Sequence, residues 1–175
     1  MFEPLKGLFR RYSLRKNASS EPTGIHPLGS IRSVVALVDV EDTTFDECKN
    51  ALNAFFRERG IKGDIFFFDF RRLTEGERLI TSIKTTVLRK DLNWYGRPSD
   101  EKVQLMLQGE PDMLLSLIPS AGFPVEYVAS CSRARFKVGR EQLPGGVFDI
   151  VVSGTSDASQ LDVFNWMVKI LDTIE

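Results

Sequence analysis

Three consecutive segments constrain this chain more than anything else in it. The first, "IRSVVALVDV" (31–40), sets five apolar residues in a row at Val34–Val38, with Val40 beyond. A run of that kind matches a strand buried on both faces. The second, "TTFDECKNALNAFFRERG" (43–60), places Phe45, Cys48, Leu52, Phe55 and Phe56 on one helical face, and Gly60 supplies a stop. Thr44 and Glu47 stand at the spacing of a capping box. The third, "DIFFFDF" (64–70), is another short apolar run. Strand, helix and strand in that order make a βαβ unit, whose strands are parallel and whose crossover is right-handed.

The rest of the chain continues the alternation. "TSIKTTVL" (81–88) has strand propensity, and "NWYGRP" (93–98) reads as a loop carrying two large aromatics. Ser99 is placed to cap a short helix, "DEKVQLMLQ", with Asp100 and Glu101 in its first turn. "DMLLSLIP" (112–119) is a buried strand, and Pro124 opens a helix through "VEYVASCSRA". "RFKVG" (135–139) alternates as an edge strand does, with Arg135 and Lys137 facing one way and Phe136 and Val138 the other. "FDIVVSG" (148–154) is a further strand. "SDASQLDVFNWMVKILDTIE" (156–175) is the last helix, with Leu161, Phe164, Val168 and Leu171 on its core face. The expected fold is α/β: a single Rossmann-like three-layer sandwich around a mostly parallel sheet of about five strands.

A chain of 175 residues is long enough for one such domain, assigned here to residues 30–175. Residues 1–29 precede it as a basic amphipathic helix and a linker, "NASSEPTGIHPLGS". Phe2, Leu5, Leu8, Phe9 and Tyr12 recur at helical spacing. Lys6, Arg10, Arg11, Arg15 and Lys16 face Glu3 alone within residues 1–17, a local charge of +4 in a chain of net charge −1, leaving −5 elsewhere. Such a helix suits weak contact with an anionic membrane surface through residues 2–16, docking on a partner protein, or packing on its own domain. The near-neutral total gives no reason to expect a nucleic-acid partner. Two distant cysteines make no disulfide framework and point to a reducing compartment. With no apolar run of membrane-spanning length and no secretory leader pattern at the N-terminus, the expected location is the cytoplasm.

Ligands of parallel α/β sheets bind beyond the carboxyl ends of the strands, so the loops there are where chemistry is expected. In "VDVEDTT" (38–44), Asp39, Glu41 and Asp42 are weak candidates for a divalent cation, and Asp42 for a catalytic group. The simpler reading is that acids favour the following helix N-terminus. In "VVSGTSDAS" (151–159), Ser153, Gly154, Thr155 and Ser156 precede a helix and are candidates for holding a phosphate-bearing small molecule. Ser156 or Asp157 as an N-cap explains the same residues. Neither a Walker loop nor the Gly-x-Gly-x-x-Gly fingerprint is present. Arg135 and Lys137 are further anion-binding candidates, against the reading of a solvated strand face. Cys131 shares a helical face with Val128 and is expected to be a buried, inert thiol; His26 lies in the linker. No cofactor and no metal are expected, one histidine being too few for a zinc site.

The stretch "PDMLLSLIPSAGFPVEYVASCSRARFKVGR…FDIVVSG" resembles an uncharacterised conserved family of Bacteroidetes bacteria, across most of residues 30–175. Within it, Asp112, the strand to Ile118, the helix and Arg135–Gly139 are similar to the acceptor-side domain of lipopolysaccharide heptosyltransferases. That resemblance implies a catalytic base at Asp42, where Glu41 replaces the glycine of the family's Gly-Asp pair. It also implies a second Rossmann-like half, for which this chain has no room. A degenerate, non-catalytic relative fits better. The functional expectation is therefore a non-enzymatic α/β binding or scaffolding protein, with a small enzyme or sensor for a phosphorylated metabolite or nucleotide sugar as the alternative.

Overall fold

In the computed structural model, which describes residues 2–74, 76–119 and 122–175, six strands form one sheet. They are β1 (Ser33–Asp39), β2 (Lys62–Asp69), β3 (Thr86–Leu88), β4 (Met113–Ser116), β5 (Phe136–Gly139) and β6 (Ile150–Val151). Their order is β3-β2-β1-β4-β5-β6, and every neighbouring pair is parallel. This is the strand order of the doubly wound Rossmann architecture. β1 lies at the centre, with Ala36 aligned to Ile65 on one side and to Leu115 on the other. Its unbroken apolar run follows from that place, because helices cover both faces of the sheet.

Five helices accompany the strands: α1 (Glu3–Asn17), α2 (Phe45–Arg59), α3 (Asp100–Leu107), α4 (Phe123–Cys131) and α5 (Gln160–Leu171). One face of the sheet, with Val34, Ala36 and Val38 of β1, packs on Cys48, Leu52 and Phe55 of α2 and on Val163, Phe164 and Met167 of α5. The opposite face, with Val35 and Leu37, packs on Val103 and Met106 of α3 and on Val125, Val128 and Ala129 of α4. Gly60 ends α2 in the left-handed conformation (φ 62°), where a side chain would be strained. Ser99 caps α3 by accepting from the Lys102 amide.

The edge-strand expectation for "RFKVG" is corrected. β5 lies between β4 and β6, and all four of its residues are buried. Lys137 does not face solvent: its Nζ donates to the Ala129 carbonyl in the last turn of α4, 2.7 Å away. A cation is favoured at that end of a helix dipole. Burial nonetheless holds its ammonium below the ordinary lysine range, with Asp149 acting the other way. Thr44 stands at the N-cap of α2, but its hydroxyl caps nothing there. That hydroxyl donates to Asp42 and accepts from the Leu161 amide of α5 instead. Residues 18–30 run along the domain in specific contact: the Ser19 amide donates to Ser130 O, Gly24 N to Arg135 O, and Thr23 Oγ1 to Asp149.

Periodicity leaves open which side of α1 meets the domain, and the structure places its polar side there. Its domain-facing side carries Lys6, Gly7, Arg10, Ser13, Leu14 and Asn17, of which Ser13 is buried. Arg10 Nε donates to the Tyr95 carbonyl at 2.7 Å, and its guanidinium lies 5.3 Å from the Phe123 ring centre. Phe2, Leu5, Leu8, Phe9 and Tyr12 are all exposed, Leu8 to 57 % and Tyr12 to 64 %. Most of the apolar side of this helix points away from the protein, and Phe9 at its margin packs on Trp94 and Tyr95.

Candidate functional site

The sheet order puts the topological switch point between β1 and β4, where the chain departs to opposite sides and a crevice opens beyond the strand ends. A cavity of about 470 Å³ occupies that crevice. Asp39 and Glu41 reach it from the end of β1, Phe68 and Phe70 from the end of β2, Ile118 from just past β4, and Phe123 from α4. Arg10 of α1 and Arg89 complete the wall. Each of these arginines spends its Nε on a backbone carbonyl, Arg10 on Tyr95 and Arg89 on Phe70. Burial raises the Asp39 carboxyl above the usual range, while the Glu41 amide, donating at 2.9 Å, opposes that shift. Next to the crevice, Asp69 is buried and forms a two-pronged pair with Arg71, at 2.8 and 2.7 Å. The guanidinium beside it holds its carboxyl below the usual range.

The β1–α2 loop has a different task from the one its acids suggest. Asp42 Oδ1 accepts from the amide and hydroxyl of Thr44, and Oδ2 accepts from the Gln160 amide at 3.0 Å. The Gln160 side chain, fully buried, donates to Asp39 O and accepts from Asp39 N. Asp39, Asp42, Thr44 and Gln160 thus lock the carboxyl end of β1 to the start of α5. Both carboxylate oxygens of Asp42 are occupied by this lock. Among the described residues, no group of three or more His, Cys, Asp and Glu side chains is placed to hold a metal ion.

The other candidate residues separate into two places. Ser153, Gly154, Thr155 and Ser156 line an open hollow of about 290 Å³ beyond the ends of β4, β5 and β6, with Pro119, Arg140 and Glu141. Arg135 and Lys137 are not part of it. Arg135, at the opposite end of β5, donates to Ser30 O and pairs with Asp112 at 3.6 Å, while Lys137 is buried against α4. The base that does line the hollow is Arg140, whose Nη2 donates to Ala158 O. A sequence signal for it existed: Gly139 closes a strand, so the next residue stands at the carboxyl end.

The N-cap of α5 is Ser159, in a capping box with Asp162, rather than Ser156 or Asp157. The opening amides of α5 are already bonded, Gln160 N to Asp42, Leu161 N to Thr44, and Asp162 N to Ser159. An anion in the hollow would therefore meet loop amides and Arg140, with Glu141 opposing it. Gly154 has a steric reason: a Cβ there would fall 2.7 Å from Ala158 Cβ and 2.8 Å from the Trp166 ring. Cys131 is buried, and desolvation raises its thiol above the ordinary range, which leaves it a poor nucleophile. His26 sits beside Arg135, its Nδ1 3.3 Å from the guanidinium.

A single parallel sheet in this order, with a crevice at its switch point but no glycine fingerprint in the β1–α2 turn, defines a Rossmann-like α/β protein. The chain belongs to a family of unknown function (DUF6913), whose model matches residues 6–174 and so includes most of α1. No curated protein and no solved structure matches it. Among the described residues, no helix is long and apolar enough to cross a membrane.

Proposed function

We propose that this protein is a non-enzymatic α/β binding module whose working surface is the outward side of α1. One observation carries the reading: α1 is docked by its polar side and presents Leu5, Leu8 and Tyr12 to solvent. Trp94 extends the patch. It is 52 % exposed and meets Phe9 edge-on, with ring centres 5.0 Å apart. Contiguous exposed apolar groups with a polar border mark interaction sites. Binding is preferred to catalysis because the best-placed acid, Asp42, has both oxygens engaged in holding α5. Asp39 and Glu41 before α2, with Asp46 and Glu47 in its first turn, also set negative charge where a nucleotide phosphate would approach the helix. The heptosyltransferase-like reading needs Asp42 free as a base and is less well supported for that reason. Buried free thiols at Cys48 and Cys131 fit a reducing, cytoplasmic setting.

The test is the state of the protein, α1 included, in gentle extracts of its native cells. The wild type is expected in a large assembly or a sedimentable fraction, and L5Q/L8Q/Y12Q is expected as a free 19.8 kDa chain. A wild type that runs free in every fraction would refute the reading.

A further inference from the structure

We infer that the occupant of the α1 surface is an anionic lipid bilayer, on which the helix lies in the membrane plane; this rests on the docking role proposed for α1. Three observations converge. First, Leu5, Leu8 and Tyr12 share the outward side of α1 with Arg11, Arg15 and Lys16, all exposed. The acid of the helix, Glu3, is paired to Lys6 at 2.8 Å. An apolar strip flanked by cations is the pattern that inserts shallowly among acyl chains while its charges meet lipid phosphates. Second, the rest of the chain carries −5 against the +4 of residues 1–17. An anionic surface therefore attracts this end of the molecule and repels the remainder, which fixes orientation as well as affinity. Third, Tyr12 and Trp94, 64 % and 52 % exposed, are the side-chain types that settle at a membrane interface, and both belong to this patch.

A second copy of the chain fits less well. A two-fold contact through this side would bring two copies of the same cationic surface together, with no acid on it free to offset Arg11, Arg15 and Lys16. The domain also holds α1 in place before any lipid arrives, through the Arg10–Tyr95 hydrogen bond and the Phe9–Trp94 contact. The ordering cost of folding a free peptide onto a bilayer is thereby lowered.

The experiment is vesicle sedimentation of the full-length protein. Vesicles of phosphatidylcholine alone are compared with an equal mixture of phosphatidylcholine and phosphatidylglycerol. The wild type is expected to pellet with the mixed vesicles and to remain in solution with phosphatidylcholine. Binding is expected to fall about tenfold or more at about 1 M salt, where the screening length is about 3 Å. L8Q/Y12Q is expected to lower binding about tenfold through lost apolar insertion, and R11Q/R15Q/K16Q to remove the preference for anionic lipid. Both variants alter exposed side chains, and an unchanged thermal midpoint certifies their fold. Equal binding to both vesicle types, or none to either, overturns the proposal. So does a concentration-dependent dimer that L8Q/Y12Q dissolves. Absence of vesicle binding with a persistent assembly in cell extracts removes the lipid and leaves the docking surface standing. A free monomer in both experiments removes both.

Discussion

Gln160 shows how a side chain that looks unremarkable in sequence can govern a strand end. Its amide closes both backbone groups of Asp39 inside the protein. Replacing it with alanine takes the partner from a part-buried N–H and a part-buried C=O. A fully buried group left so costs about 1–3 kcal/mol; for two part-buried ones the lower part of the summed range applies, and Q160A is expected to lose roughly 2–4 kcal/mol in urea unfolding. A loss under about 0.5 kcal/mol would mean that the lock is dispensable. Gly154 makes the steric counterpart. The Cβ of G154A must displace Ala158 or Trp166 at the base of α5, and overpacking of this kind costs about 1–3 kcal/mol. Cys48 gives the pH dependence. Burial in the α2 face pushes its thiol from 9.0 up to about 12. The unfolded chain therefore releases this proton at lower pH than the folded one. Above pH 9 the unfolded state binds fewer protons, and stability falls as pH rises towards 12. At about pH 10.5 the expected loss from this one group is about 2 kcal/mol. C48A carries a cavity penalty at every pH, but its stability curve is expected to be flatter over that window than the wild type's. Parallel curves from pH 8 to 11 would assign the alkaline loss to other groups.

At the scale of elements, legibility followed burial. β1, α2 and β2 could be read from periodicity because their apolar groups face a core on both sides of the sheet, and Gly60 marked its own stop. β5 misled because Lys137 suggests solvent, whereas its four methylenes lie in the interior and its Nζ finds a helix C-terminus. The order of strands depends on contacts between distant segments, so the internal place of β5 left no local trace. The start of α5 was readable in principle. Ser156, Asp157 and Ser159 can all cap, yet only Ser159 has an acid three residues on, at Asp162. Of the candidate site, the strand-end loops were legible as loops, and Ser153–Ser156 do line a hollow. What escaped was the division of labour, since Asp42 and Thr44 act on a helix that lies more than a hundred residues along the chain. The side of α1 that docks was left open, because a 3.6-residue period reports that two faces differ and not which of them is buried. An outward apolar side predicts the mutational response of a surface. Polar replacements at Leu5 and Leu8 are expected to change stability by less than about 0.5 kcal/mol, the value for surface sites. A clear drop in thermal midpoint for L5Q/L8Q would show that this side is covered within the protein.

Across the whole molecule, α1 and the sheet meet at the switch-point crevice, where Arg10 serves as a wall of the cavity and as the anchor of the helix. Anything that moves α1 therefore changes the opening of the crevice beyond the end of β1. The ties of α1 are few beside the apolar packing that holds β1 and β4, so the two parts should open at different free energies. Amide hydrogen exchange is expected to be slowest at Val34–Val38 and Leu114–Leu115 and faster throughout Glu3–Asn17. A hydrogen bond from a charged donor contributes about 1.5–3 kcal/mol. R10A should therefore speed exchange in α1 by roughly ten- to a hundredfold, while the rates in β1 and β4 stay as they were. Equal acceleration in the strands would mean that α1 and the sheet unfold as one unit, with Arg10 a structural member of the core. Acceleration confined to α1 would identify Arg10 as a latch, through which the position of the helix and the shape of the crevice are set together.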